Sequence, residues 1–291
     1  MKHNSSRIGH RVLVRGAGDF ATGIIHRLHN AGFSVTATEL EQPLAVRRGV
    51  ALSEAVYEGI YVVEGVTAVL TEPGRIDGIL SEGMVPLVVD PNGDVLERDF
   101  DIIVDARSAK RNLGTTIDDA GIVVAIGPGF EAGVDCHAVV ETLPRDGIGR
   151  VIYEGSAAED TGYPAPVAQA LPCTCSFEDV MTYLLRAPIA GTFGIVADIG
   201  DIVEKGDTVG WVHTADGGKR MVKAAAKGLL RGIIRDGTPV DEGMKLGDIN
   251  PVMERDRCYM ISEKSRAVAG GVLEACMALL SEKRRIHNAH S

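Results

Sequence analysis

A chain of 291 residues with 45% hydrophobic and 24% charged residues has globular composition and is long enough to bury the cores of two domains. A formal net charge of −10, with no basic block beyond the short SEKRRIH near the end, excludes the electrostatic footprint of a nucleic-acid binder. No run approaches the ~20 apolar residues of a membrane span, MKHNSSRIGH lacks an apolar signal core, and five cysteines make no disulfide framework, so a reduced, soluble, cytoplasmic protein is expected.

In chain order, the first elements are a strand in RVLVRG, a glycine turn and a helix. Ala21, Ile24, Ile25, Leu28 and Ala31 recur at the spacing of a helix that covers a sheet. Gly32 then stands where a helix end wants positive φ. FSVTATEL is the second strand and ends in Glu39. VPLVVD, FDIIVDA and GIVVAIG follow as short Val/Ile-rich strands, the pattern of strands buried on both faces of a parallel sheet. The expected fold is α/β, with a Rossmann-like nucleotide-binding domain over 1–145 and a linker or insert over 146–185. Residues 186–250 contain an internal repeat. Gly191, Gly200, Gly206 and Gly210 fall on Gly228, Gly237, Gly243 and Gly247, each 37 residues on, which predicts a small pseudo-symmetric β domain. Residues 251–291 form a C-terminal helical segment whose last turn is basic, where the helix dipole favours cations.

The first candidate for chemistry is Gly16-Ala17-Gly18-Asp19-Phe20-Ala21, a G-x-G-x-x-A form of the dinucleotide fingerprint. Gly16 permits the tight turn and Gly18 the close approach of a pyrophosphate, while Glu39 suits a hydrogen bond to a ribose hydroxyl. The same residues also fit a turn that holds no ligand. Asp19 is stabilised in the first helical turn by about 0.3–1 kcal/mol and can cap amide groups. It also competes with a phosphate for the same positive end, which would leave an anion to Arg15 and Thr22. In VDARSAKRNLGTT, Asp105 closes a strand and Arg107, Lys110 and Arg111 follow as cations for phosphate or carboxylate; a solvated helix start fits equally. In AIGPGFEAGVDCHAVVET, Gly127 and Gly129 leave a strand. Asp135, His137 and Glu141 then share one face of the next strand, with Cys136 on the other. These three ligand types suit proton transfer or a metal, yet one strand alone closes no metal site, so no metal is expected. Tyr57, Arg47 and Arg48 lie just past the second strand. Cys173 and Cys175 form a lone C-x-C without a second pair at zinc spacing, and Cys258 and Cys276 read as structural.

The segments VRGAGDFATGIIHRLHNAGF, EQPLAVRRGVALSEAVYEG, IVDARSAKRNLGTT and GPGFEAGVDCHAVVET, in this order, resemble the YqeB family over about residues 10–260. The resemblance implies an accessory role for selenium-dependent molybdenum hydroxylases and the maturation of their pterin cofactor. It implies as partner a molybdenum hydroxylase or its maturation machinery. It marks Gly16, Gly18, Asp19, Arg47, Arg48, Glu54, Tyr57, Asp105, Arg107, Lys110, Asn112, Gly127, Gly129, Asp135, His137 and Glu141 as functional positions without assigning a catalytic one. The repeat likewise resembles a biotinyl/lipoyl-like barrel-sandwich hybrid. Its hairpin WVHTADGGKRMVKA carries Lys219 and Lys223 but lacks the context of an attachment lysine, so no covalent biotin or lipoate is expected.

Three functions are open at this point. The first is an accessory protein that binds a nucleotide or a molybdopterin dinucleotide. The second is an NAD(P)-dependent oxidoreductase with His137 or Tyr57 as proton donor. The third is a non-catalytic scaffold or docking protein.

Overall fold

The computed structural model describes residues 9–143, 146–159, 171 and 175–289; Cys173, of the C-x-C pair, lies outside them. Among the described residues there are five α-helices: α1 Asp19–Asn30, α2 Ala55–Glu58, α3 Ile76–Ser81, α4 Phe177–Met181 and α5 Glu263–Ala289. The chain divides into two compact units. The first comprises Met1–Pro43, Leu52–Thr161 and Ile261–Ser291, and the second Leu44–Ala51 and Gly162–Met260.

The strands of the first unit are β1 Arg11–Arg15, β2 Ser34–Glu39, β3 Ile60–Val63, β4 Val66–Leu70, β5 Val85–Val89, β6 Ile102–Asp105, β7 Ile122–Ile126, β8 Glu131–Ala132, β9 Ala138–Val140, β10 Val151–Ile152 and β11 Gly155–Ser156. Nine of them form one sheet in the order β10-β9-β7-β6-β1-β2-β5-β4-β3, while β8 and β11 pair separately. The centre is parallel: β1 lies between β2 and β6, with Arg15 beside Thr38 on one side and Asp105 on the other. Both edges are antiparallel, β3 on β4 and β10 on β9. The central strands carry the largest buried aliphatics, among them Leu13, Leu87, Ile102, Ile103 and Ile122. Their continuous apolar runs are what burial on both faces demands.

This mixed sheet corrects the expected Rossmann-like parallel domain. The strand–helix–strand crossover is realised at β1–α1–β2, but residues 106–121, between β6 and β7, form no helix, nor do residues 127–137 before β9. The reason is local. ARSAKRNLGTTIDDAG carries apolar residues at helical spacing, but Ser108, Lys110 and Gly114 all hold positive φ and the run is dense in turn formers, which no helix accommodates. The cover comes from the far end of the chain instead. Helix α5 packs on α1 and on β7, β9 and β10, through Val268, Ala269, Val272, Ala275 and Cys276, all buried. The β3–β4 hairpin was not among the expected elements; it turns at Glu64 and Gly65, both with positive φ, and leaves Ile60 and Val62 exposed.

The second unit contains β12 Leu184–Arg186, β13 Gly191–Ile195, β14 Ile202–Val203, β15 Thr208–His213, β16 Lys219–Lys223, β17 Gly228–Ile233, β18 Pro239–Val240 and β19 Lys245–Asn250. They form two four-stranded antiparallel sheets, β12-β19-β17-β14 and β16-β15-β13-β18. Phe193, Val209, Val212, Leu230, Ile233, Leu246 and Ile249 fill the core. Asp248 is buried there with Arg231, which donates to both its oxygens (3.0 and 2.9 Å), and with Lys245 at 3.1 Å. Burial alone would raise the Asp248 carboxyl; the two cations outweigh it and hold it well below the usual range.

Nor does this unit give the biotinyl/lipoyl-like barrel-sandwich hybrid expected over 186–250. Its sheets begin with β12, ahead of the repeat, and the unit takes in Leu44–Ala51. Where a carrier module would crown a turn with its lysine, Lys219 opens β16. Its ammonium lies 3.7 Å from the centre of the Trp211 ring.

Candidate functional site

The C-terminal ends of β1, β2 and β6 bring three of the sequence motifs together in the first unit. After Arg15 the chain turns at Gly16, with φ +102°, and the Gly16 amide donates to the Thr38 carbonyl at 2.8 Å. A β-carbon on Gly16 would stand 3.1 Å from the Ala106 carbonyl oxygen, so the turn is pressed against the strand end beside it. Gly18 caps α1 in extended conformation, and a β-carbon there would meet nothing within 4 Å. This is the open side of the turn.

The acids of the motif face the protein's own groups. Glu39 accepts from the Ala17 amide at 3.0 Å and the Leu40 amide at 2.7 Å, so both oxygens brace the turn. Burial holds its carboxyl above the usual carboxylate range, outweighing the two amides, which act to lower it. Asp19 accepts from the Ser265 hydroxyl at 2.8 Å, a tie between α1 and α5. Thr22 donates to the Ala17 carbonyl and accepts from the Leu52 amide, closing the same turn from beneath.

Beside the turn lies a buried polar network. Asp105, 1% exposed at the end of β6, takes Nε of Arg107 at 3.1 Å and Nη2 at 2.5 Å, and also the Thr115 hydroxyl at 2.6 Å. Thr115 Oγ1 in turn accepts from Arg15 at 2.7 Å and from Arg107 at 3.1 Å. One hydroxyl thus uses its single donor and both lone pairs. Asn112 holds Thr115 in place through two 2.8 Å bonds to its backbone. Asp119 lies 3.7 Å from Arg15. Burial first, then the nearby Arg107, lowers the Arg15 guanidinium, against the pull of Asp105, Asp119 and Asp90. Ser108 and Lys110 both adopt positive φ, +56° and +60°. Such non-glycine strain concentrates where a loop is held for function. Gly129 serves this loop's packing, since a β-carbon there would overlap the Arg111 backbone, whereas Gly127 packs against the end of β9, with a β-carbon falling 2.7 Å from Thr142 Oγ1.

The remaining residues do not converge. Arg47 donates to the Arg257 and Met260 carbonyls, and Arg48 to the Ile233 carbonyl and to Asp198, all within the second unit. Tyr57 donates to the Pro43 carbonyl at 3.3 Å, and Glu54 is buried. Asp135 accepts from the Glu131 amide. Glu141 gathers the amides of Thr142, Leu143 and Ala158. His137 Nδ1 accepts from the Val123 amide at 3.0 Å, and burial, with Lys283 next, lowers its imidazole. The described residues include no group of three or more His, Cys, Asp or Glu that could hold a metal ion. Thr115 and Asp119 escaped sequence reading, because a hydroxyl in NLGTT and an acid in IDDAG carry no signal until the loop folds back on β6.

Cys136 is wholly buried, and burial together with Asp135 pushes its thiol up to about 12. The thiolate is the reactive form. Iodoacetamide at pH 8 should therefore leave Cys136 unmodified in the native protein and alkylate it in urea, as peptide mapping by mass spectrometry would read. Labelling in the native state would contradict this burial.

No protein-family profile matches the chain. Over 277 residues, 94% of its length, it is 41% identical to the uncharacterized protein YqeB of Escherichia coli (strain K12). The chain belongs to the YqeB family. It spans about half (49%) of that curated relative. Among solved structures, the product-bound ectoine utilization protein EutE (DoeB) of Ruegeria pomeroyi is 13% identical, with 83% of this chain and 85% of that one covered and a TM-score of 0.25. A succinylglutamate desuccinylase/aspartoacylase of Rhodobacter sphaeroides is 14% identical, with 84% and 85% covered and a TM-score of 0.26.

Mapped on the structure, the YqeB-family segments part company. Those of residues 15–22 and 104–116 meet at the ends of β1 and β6, whereas Arg47 and Arg48 belong to the second unit. Among the described residues no helix is long and apolar enough to cross a membrane.

Proposed function

We propose that this YqeB-family chain is an accessory protein of selenium-dependent molybdenum hydroxylases. In this role it holds an anionic, nucleotide-type ligand of the molybdopterin dinucleotide class over the C-terminal ends of β1 and β6. The role is what the resemblance of its motifs to the YqeB family implies. The observation that carries the ligand is the open space at Gly18, at the start of a 12-residue helix and beside the Arg15–Asp105–Arg107–Thr115 network. A helix start favours negative charge and presents amides to it, and a glycine lets the backbone come close to a ligand. Arg107 keeps 22% of its side chain exposed and is the cation an anion would meet. Asp19, tied to Ser265, sets the limit on how deep that anion sits.

A non-catalytic role fits the same geometry. Both oxygens of Glu39 and of Glu141, Oδ2 of Asp135 and Nδ1 of His137 accept from backbone amides, and Tyr57 donates to a carbonyl.

Gly18→Ala tests the site. With nothing near its β-carbon, the variant should lose no more than about 1 kcal/mol of stability, the ordinary difference between helix-capping residues. Calorimetry with molybdopterin dinucleotide should show saturable binding to the wild type, weakened about tenfold or more, ~1.4 kcal/mol, by the added methyl. Silence from the wild type, or equal affinity in the variant, removes the ligand from this turn. Hydride transfer from NADH with saturable binding would favour an oxidoreductase instead.

A further inference from the structure

At the opposite end of the same strands, a cleft of about 730 Å³ opens between the starts of β1, β6 and β7 and the last turns of α5. Clefts of a few hundred to a thousand Å³ are the size that small ligands fill. Phe100, Ile122 and Leu280 give it an apolar floor. Lys283 and Arg284 stand on its α5 side, and among the described residues neither has an ion-pair partner.

The other charges of the cleft are differently placed. Asp101 is engaged: its Oδ2 takes the Arg11 amide at 2.8 Å and lies 3.5 Å from His10. The Arg11 guanidinium donates to Asp77 at 3.0 Å and leans over the Phe100 ring, while its Nε is buried without a partner. Asp99, exposed on the rim, and Asp101, whose charge a neutral amide does not cancel, are the acids of the cleft set against Lys283 and Arg284 of α5 and Arg11, itself paired with Asp77. Gly121 keeps the space open, since a β-carbon there would stand 3.2 Å from Lys283 Nζ. Burial first, and Lys283 second, lower the imidazole of His137, against the Val123 amide and Asp118.

We infer that this cleft is a second ligand site, taking a small organic anion whose phosphate or carboxylate meets Lys283 and Arg284 and whose apolar body lies on Phe100, Ile122 and Leu280. Basic residues in the last turns of a helix also complement its dipole. That role needs neither an apolar floor nor a cleft, and it predicts no preference between anions. The inference is independent of a ligand at Gly18, which is at the other end of β1.

Calorimetric titration of the full chain at low ionic strength, with phenyl phosphate and with inorganic phosphate, tests it. Phenyl phosphate should bind saturably at one site and more tightly than inorganic phosphate. Lys283→Gln should weaken it by about tenfold, the loss of one charge-assisted contact, and Arg284→Gln should do the same. Both side chains are exposed, so circular dichroism should show both variants folded. Gly18→Ala should leave phenyl phosphate binding unchanged. No saturable binding, equal affinity for the two probes, indifference to Lys283→Gln, or a loss with Gly18→Ala would each overturn the inference.

Discussion

Asp105→Ala should lower the free energy of unfolding by about 3–5 kcal/mol, the range found when one partner of a buried charge pair is removed. Among the described residues Asp105 is the acid in direct contact with Arg107 and Thr115 at the end of β6, and it lies beside Arg15 in the β1–β6 register. Without it, two guanidinium groups share a largely buried space with a hydroxyl that has lost its acceptor. Burial and Arg107 already disfavour the charge on Arg15, so the loss of the counter-charge acts on both arginines. Asp119, 3.7 Å from Arg15, does not replace it. Asp105→Asn keeps an oxygen of the same shape to accept from Thr115 and should cost less than the alanine. Urea unfolding at pH 7 reads both, since a shift in midpoint at constant slope is a change in stability. A loss below 1 kcal/mol for alanine would mean that water, not Asp105, satisfies the arginines.

How far the sequence discloses such a site depends on the range of the interactions that build it. The β1 turn was legible because its determinants are local: a short apolar run, Gly16 with φ +102°, a helix repeat from Ala21 to Leu28 and Gly32 with φ +94°. The strands β5, β6 and β7 were legible for the same reason. Their place in a mixed sheet was not, because pairing is set by which strand finds which; YVVEGVTAVL holds a two-residue Glu64-Gly65 turn, both at positive φ, that folds it back on itself, but nothing local says that the hairpin becomes the sheet's edge. The helix SRAVAGGVLEACMALLSEKRR is plain as a helix, yet its partner, α1, lies over 200 residues earlier in the chain. Glu39 shows the limit most clearly. Its position at the end of β2 is what a ribose ligand would want, but the amides of Ala17 and Leu40 claim it first. Arg47 and Arg48, adjacent in sequence to motif residues of the first unit, are drawn into the second by carbonyls near residues 233, 257 and 260. The repeat shows the opposite case. Gly200 and Gly237, and Gly206 and Gly243, each pair 37 residues apart, share positive φ because each half bends its chain at the same step.

Two neighbouring glycines in α5 should respond to alanine with opposite signs. A β-carbon on Gly271 would fall inside the Gly149 carbonyl oxygen and stand 2.8 Å from Val140 Cγ1. Gly149 cannot step aside easily, because it holds positive φ at +80° and its own position is pressed to within 2.5 Å of the Ala267 carbonyl for any added side chain. Two backbones are in contact there, and neither is the yielding end of a long side chain. Gly271→Ala must therefore lift α5 from β9 and β10 and loosen Val268, Val272 and Cys276, all buried on that face. The cost should be about 3 kcal/mol, the upper end of what overpacking a core imposes. At Gly270 a β-carbon meets nothing within 4 Å. Gly270→Ala should instead stabilise by about 0.5–1 kcal/mol, the difference in helix propensity between the two residues. Measuring both variants by thermal or urea unfolding separates close packing from helix propensity, since propensity alone would make the two alanines equal. Equal stabilisation would mean that α5 does not sit against the Gly149 turn. A loss at Gly271 with a gain at Gly270 would mean that the helix docks by its backbone at Gly271, which is the reason that glycine interrupts an otherwise good helix former.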